Sequence, residues 1–197
     1  KRNASNLGSL TGEDSDVSEL ITTCKDWVDT IREDVETVKR IVEAEKIDED
    51  ARKFAASALN YLVSRMDLIP DWTDTIGVID DVMVIRVCVN LANTYGLDEL
   101  DTDDMVAAMR LANEAEKIET VMGDDMYAKL RKYCARLSDE TVRGRSPDGI
   151  IRDAEIRAEL YVEIEDDIKK MPPATFKDTE SIELKLQSYL HAKLKEV

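Results

Sequence analysis

The stretch Tyr61-Leu62-Val63-Ser64-Arg65-Met66-Asp67-Leu68-Ile69-Pro70-Asp71-Trp72-Thr73-Asp74-Thr75-Ile76-Gly77-Val78-Ile79-Asp80-Asp81 decides how this chain folds. Pro70 has no amide proton and pushes the residue before it out of the helical region, so no helix runs unchanged past Ile69. Ahead of it, Ala51, Phe54, Ala55, Ala58, Leu59, Leu62 and Val63 share one helical face, with Asp48 placed as the N-cap. Gly77 marks the far side of the break. Beyond it Val78, Ile79, Val82, Met83, Val84 and Ile85 are apolar nearly all round. The stretch therefore reads as helix, turn, helix, and its second helix belongs at the centre of a bundle.

The turn is also rich in acid. Asp67 falls at the C-terminal end of the first of these helices, where exposed carbonyls already concentrate negative charge. A carboxylate there is disfavoured by up to roughly 1 kcal/mol and needs a partner. Asp80 and Asp81 open the following helix, where the dipole favours them, yet they interrupt its apolar surface. At least one must lie in or beside the core, where an unpaired carboxylate costs on the order of several kcal/mol. Two readings satisfy this. In the structural one, Asp71 and Asp80 or Asp81 accept amide protons from the turn, and Arg65 or Arg86 neutralises one of them. In the functional one, Asp67, Asp71, Asp80 and Asp81 converge on a hard divalent cation, such as magnesium, manganese or calcium, through oxygen ligands. Buried Asp more commonly staples a loop, whereas four acids beside two arginines leave negative charge for a metal to use.

Tyr61, Ser64, Asp67, Leu68, Ile69, Pro70, Asp71, Gly77, Asp80 and Asp81 stand in register, without a gap, with the signature of the YkvA-like family. Members of this bacterial family of unknown function read Tyr-x-x-Ser-Pro-x-Asp-Leu-Ile-Pro-Asp-x-x-Pro-x-x-Gly-x-x-Asp-Asp. The chain resembles it over about residues 58–92 and departs at Arg65 and Asp74, where the family has Pro. Those departures loosen the turn and add one charge of each sign beside the acids. The resemblance implies a helical hairpin, membrane-associated in some relatives, with no established activity.

Outward from the hairpin the pattern remains helical. Residues 1–14 are polar and aperiodic and read as a flexible arm. Ser15 or Asp16 caps a long helix in which Val17, Ile21, Cys24, Val28, Ile31, Val35, Val38 and Val42 alternate by four and three. Leu20, Trp27 and Ile41 widen that stripe, which favours packing inside a multi-helix bundle, with a homodimer seam as the rival. Gly96 ends the third helix, Asp101 or Thr102 opens a fourth towards Met122, and Gly123 divides it from a fifth, 124–137. Residues 138–149 contain Arg143-Gly144-Arg145-Ser146-Pro147-Asp148-Gly149 and read as a linker. A sixth helix follows, stopped by Pro172 and Pro173, and Thr179 caps a seventh. The expectation is an all-α bundle of about seven helices. Residues 15–137 form the helical domain, and 150–197 form a C-terminal helical hairpin packed on it.

Composition narrows the function. The 197 residues carry a formal net charge of -16, which phosphate backbones and anionic membranes repel. The most apolar stretch, 82–92, contains Arg86 and Asn90 and is far short of the roughly 20 residues a membrane span needs. Cys24, Cys88 and Cys134 sit singly among apolar residues and read as buried thiols in a reducing compartment. His191 is the only histidine, which removes most histidine-based chemistry. Arg143, Arg145 and Arg152 read as a solvated loop rather than an anion site. Residues 97–104 lack the Gly and the terminal Glu of a calcium loop. Glu155, Glu159 and Glu163 share a helix face, but Glu163-x-x-Asp166 has no evident mate on a second helix, and a solvated face explains them better. The expected function is a non-enzymatic, cytoplasmic protein-interaction or structural module, as a homodimer or docked on a protein partner. The alternative is a magnesium- or manganese-dependent hydrolase of a phosphorylated small molecule, with Asp67, Asp71, Asp80 and Asp81 as ligands.

Overall fold

The computed structural model describes residues 13–64, 68–69, 74–171 and 179–195. Among them are nine α-helices and no strand: α1 (Glu13–Asp29), α2 (Ile31–Glu43), α3 (Glu49–Tyr61), α4 (Ile79–Asn93), α5 (Thr102–Met122), α6 (Asp124–Arg136), α7 (Pro147–Arg152), α8 (Ala154–Lys170) and α9 (Thr179–Leu194). Short 3-10 turns occupy Asp74–Val78 and Leu137–Asp139. The all-α bundle expected from the sequence is the fold that forms. Seven helices become nine because two are each interrupted by one residue, Thr30 and Asp153.

Both interruptions have a local cause. At Thr30 the hydroxyl lies 3.2 Å from the Trp27 carbonyl and 3.1 Å from Asp34 Oδ2. The side chain thus competes with the helical ladder and turns Asp34 inward. Asp153 leaves helical geometry, and its carboxylate accepts the amides of Glu155 and Ile156, starting α8 as an N-cap. Asp48 caps α3 in the same way, accepting the Asp50 amide at 2.8 Å.

α4 is the centre of the molecule. Thirteen of its fifteen residues are buried, as its all-round apolarity requires. It packs against α1, α2, α3, α5 and α6. Alanines at 51, 55, 56 and 58 on α3 let that helix come close to α4 and α7. The stripe Ile21, Cys24, Val28, Ile31, Val35, Val38 and Val42 is buried inside this chain's own bundle. At the periphery α7 packs on α3, α8 on α7 and α3, and α9 on α1 and α6. α5 and α6 are separated by Gly123 alone, at φ 75°, a conformation that disfavours any side chain.

Candidate functional site

α3 ends at Tyr61, nine residues before Pro70, and what closes the turn beyond it is a buried hydrogen-bond chain. The Tyr61 hydroxyl donates to Asp80 Oδ2 at 2.6 Å and accepts the Leu68 amide at 2.8 Å. The same Asp80 oxygen accepts the Ile69 amide at 3.0 Å. Two backbone donors that no helix can use are thus satisfied by two side chains, one from each arm of the hairpin. Asp80 is fully buried and Tyr61 nearly so. Burial, and then the Asp80 carboxylate, push the Tyr61 hydroxyl well above its ordinary pKa, which keeps its proton in place for the 2.6 Å bond. Tyr133 of α6 meets the Tyr61 ring edge-on at 6.3 Å and walls the site.

Asp81 is also buried and lies close enough to raise the Tyr61 pKa further. Ser64 donates its amide to the Tyr61 carbonyl at 2.8 Å, and Gly77 is buried within the 3-10 turn that leads into α4. Asp67, Asp71, Arg65 and Pro70 lie outside the described residues. Among the described residues no group of three or more His, Cys, Asp or Glu side chains is placed to hold a metal ion.

Arg86 forms its ion pairs elsewhere. Its guanidinium donates to Asp34 Oδ2 at 2.9 Å, to Glu114 Oε2 at 2.8 Å and to the Val82 carbonyl at 3.0 Å. Its carbon centre stacks 4.1 Å from the Trp27 ring centroid. Arg110 reaches in from the surface to Asp34 Oδ1 at 2.5 Å and also bonds Glu114. Two arginines and two acids thus close a charge-balanced cluster between α2, α4 and α5. Burial pulls the Arg86 pKa down, and Asp34 and Glu114 act against it. Removing one buried partner from such a cluster is far more damaging than never having built it.

A second cluster was not legible as one in the sequence. Val142 and Arg145 exchange backbone hydrogen bonds at 2.9 Å, and Arg143 and Gly144 between them both have positive φ, 49° and 81°. This is a two-residue hairpin turn of the kind that requires left-handed backbone at both central positions. It aims Arg145 inward, where it forks onto both oxygens of Glu163 at 3.0 and 2.7 Å, while Arg143 adds a bond at 3.0 Å. Asn60 of α3 donates to the Arg145 carbonyl at 3.0 Å. The solvated-loop reading fails for Arg145, which is 8% exposed. It holds better for Arg152, an exposed side chain paired with Glu49. Glu163 is likewise part of a clasp, whereas Glu155 and Glu159 are exposed. All three cysteines are buried and free, and burial pushes the Cys24 thiol up to about 12.

The fold and site define a helical bundle in which, among the described residues, Tyr61, Leu68, Ile69 and Asp80 of the signature meet in the core. Residues 51–86, less than a fifth of the chain, match the family described as a protein of unknown function (DUF1232). No curated protein and no solved structure significantly matches the chain. The matched segment spans α3, the turn and the start of α4, and so contains both Tyr61 and Asp80. No described helix is long and apolar enough to cross a membrane.

Proposed function

We propose that the chain is a non-enzymatic helical module that acts in the cytoplasm by binding protein, with the YkvA-like hairpin as its scaffold. The observation that carries this reading is the use made of Asp80. Its Oδ2 closes the turn through Tyr61 and the Ile69 amide, so that oxygen is spent on architecture. Arg86 is spent likewise on Asp34 and Glu114. Recesses of about 280 and 460 Å³ line α2 against α8 and α2 against the α4–α5 connection, and neither includes Tyr61, Asp80 or Asp81. The partner is a protein with a basic surface, because a net charge of -16 repels nucleic acid and favours cationic groups. Three buried free thiols suit a reducing compartment.

The rival reading, a magnesium- or manganese-dependent hydrolase, would have Asp80 and Asp81 join Asp67 and Asp71 around the cation. Melting temperature separates the two, because a ligand that binds only the folded state stabilises it. The wild type and an Asp80→Asn, Asp81→Asn double variant are melted across a titration of each ion. The interaction module predicts that the variant melts lower by the same margin with and without metal. A metal-dependent rise in the wild type that the variant lacks would establish the hydrolase site instead.

A further inference from the structure

A helix that is apolar on every side is driven into the core without being told which way to face. In α4 the valines at 82, 84, 87 and 89, with Ile85 and Leu91, spread similar aliphatic surface around the whole helix. Cores built this way lose their unique packing before they lose stability. Only Arg86 and Asn90 break the apolar run from Val82 to Ala92. Four residues apart, they share one face of the helix, and both engage α5. Arg86 donates to Glu114 at 2.8 Å, and the Asn90 amide donates to the Ala112 carbonyl at 3.1 Å. Each also reaches a further helix. Arg86 donates to Asp34 of α2 at 2.9 Å, and Asn90 accepts from Arg131 of α6. Turning α4 by one residue, about 100°, would set the guanidinium among aliphatic side chains and strip the fully buried Asp34 of its partner.

We propose that Arg86 and Asn90 are positioning residues for the hairpin site: they set the rotation of α4 about its axis and so hold Asp80 against Tyr61. Asp80 lies six residues before Arg86, about 120° away around the same helix. There its Oδ2 accepts from the Tyr61 hydroxyl and the Ile69 amide. The helix transmits the setting rigidly, so bonds made to α2, α5 and α6 decide whether the turn closes on α3. Aliphatic burial supplies the stability of α4, and the two polar residues supply its orientation.

Amide hydrogen exchange and urea unfolding of the full chain test this, in the wild type and in a variant carrying Asp34→Leu, Arg86→Met, Asn90→Leu and Glu114→Leu. The variant strands no buried charge, because Arg110 is exposed, Arg131 is half-buried, and both turn to water. Replacing a buried ion cluster with apolar side chains is often neutral or stabilising, so the urea midpoint should be no lower than that of the wild type. The Leu68 and Ile69 amides, bonded to Tyr61 and Asp80, should nevertheless exchange at least about tenfold faster, while amides in the middle of α4 keep their protection. Unchanged exchange at Leu68 and Ile69 in the folded variant would overturn the proposal. A variant that does not fold, or one in which these two amides and α4 lose protection together, would overturn it as well, since the polar residues would then supply stability rather than orientation.

Discussion

Asp80 announces itself in the sequence because a carboxylate inside an all-round apolar helix must find a partner. Asp34 does not, although it is equally buried. It stands among Glu33 and Glu36 in a helix whose polar face is rich in charge, and sequence does not distinguish the acid that turns inward. The distinction lies in Thr30 and in Arg86, fifty-two positions from Asp34. Arg86 was legible as a candidate partner for a hairpin acid, but the ion pairs it forms with Asp34 and Glu114 were not, since those acids come from α2 and α5 rather than from the hairpin. Replacing Arg86 with Met should destabilise the chain by about 3–5 kcal/mol, because Asp34 is left buried with less compensation. Adding Asp34→Leu to that variant should recover part of the loss. Urea unfolding of the three variants checks this, and a double variant no more stable than Arg86→Met would contradict the pairing.

At the scale of elements, the sequence yields helix faces well and helix interruptions poorly. The stripe of α1 and α2 continues in phase through Thr30, so periodicity alone reads one helix. The start of α7 lies inside residues 138–149, read from the sequence as a linker, although its signal is present there. Ser146 followed by Pro147 is an N-cap and first-turn pair, and Ser146 does accept the Gly149 amide. The hairpin turn was hidden because Arg143 occupies a left-handed position that usually favours Asn or Gly. Arg143→Val should therefore cost more than about 1 kcal/mol, whereas Arg143→Asn should stay within roughly 0.5 kcal/mol of wild type, since the ion pair it loses is exposed. Equal stabilities for the two variants would show that the backbone is not left-handed there. The clasp also carries a pH signature. Hydrogen bonds from Arg145 hold the Glu163 carboxyl below its usual range. Its contribution is complete above the ordinary value of about 4.3 and is lost as pH falls through the lower, folded-state value. Glu163→Gln should be less stable than wild type at neutral pH, with the gap narrowing below that range. A gap that stays constant under acid unfolding would contradict the assignment.

For the whole molecule, the all-α class and the central place of α4 were readable because an aliphatic chain with seven Gly and four Pro leaves few turns and needs one helix apolar on every side. The tertiary clusters were not readable, since they join residues as far apart as Asn60 and Arg145, or Asp34 and Arg110. The hairpin is the part of the chain where local sequence and global packing meet, and its cohesion is a property of global stability. If Asp80 is spent on closing the turn, Tyr61 and Asp80 must act as one unit. Unfolding free energies of the wild type, Tyr61→Phe, Asp80→Asn and the double variant form a cycle that measures this. The expected coupling is about 1–3 kcal/mol, the range of a buried hydrogen bond to a charged group. Additive losses, within roughly 0.3 kcal/mol, would show that the two side chains do not hold the turn together.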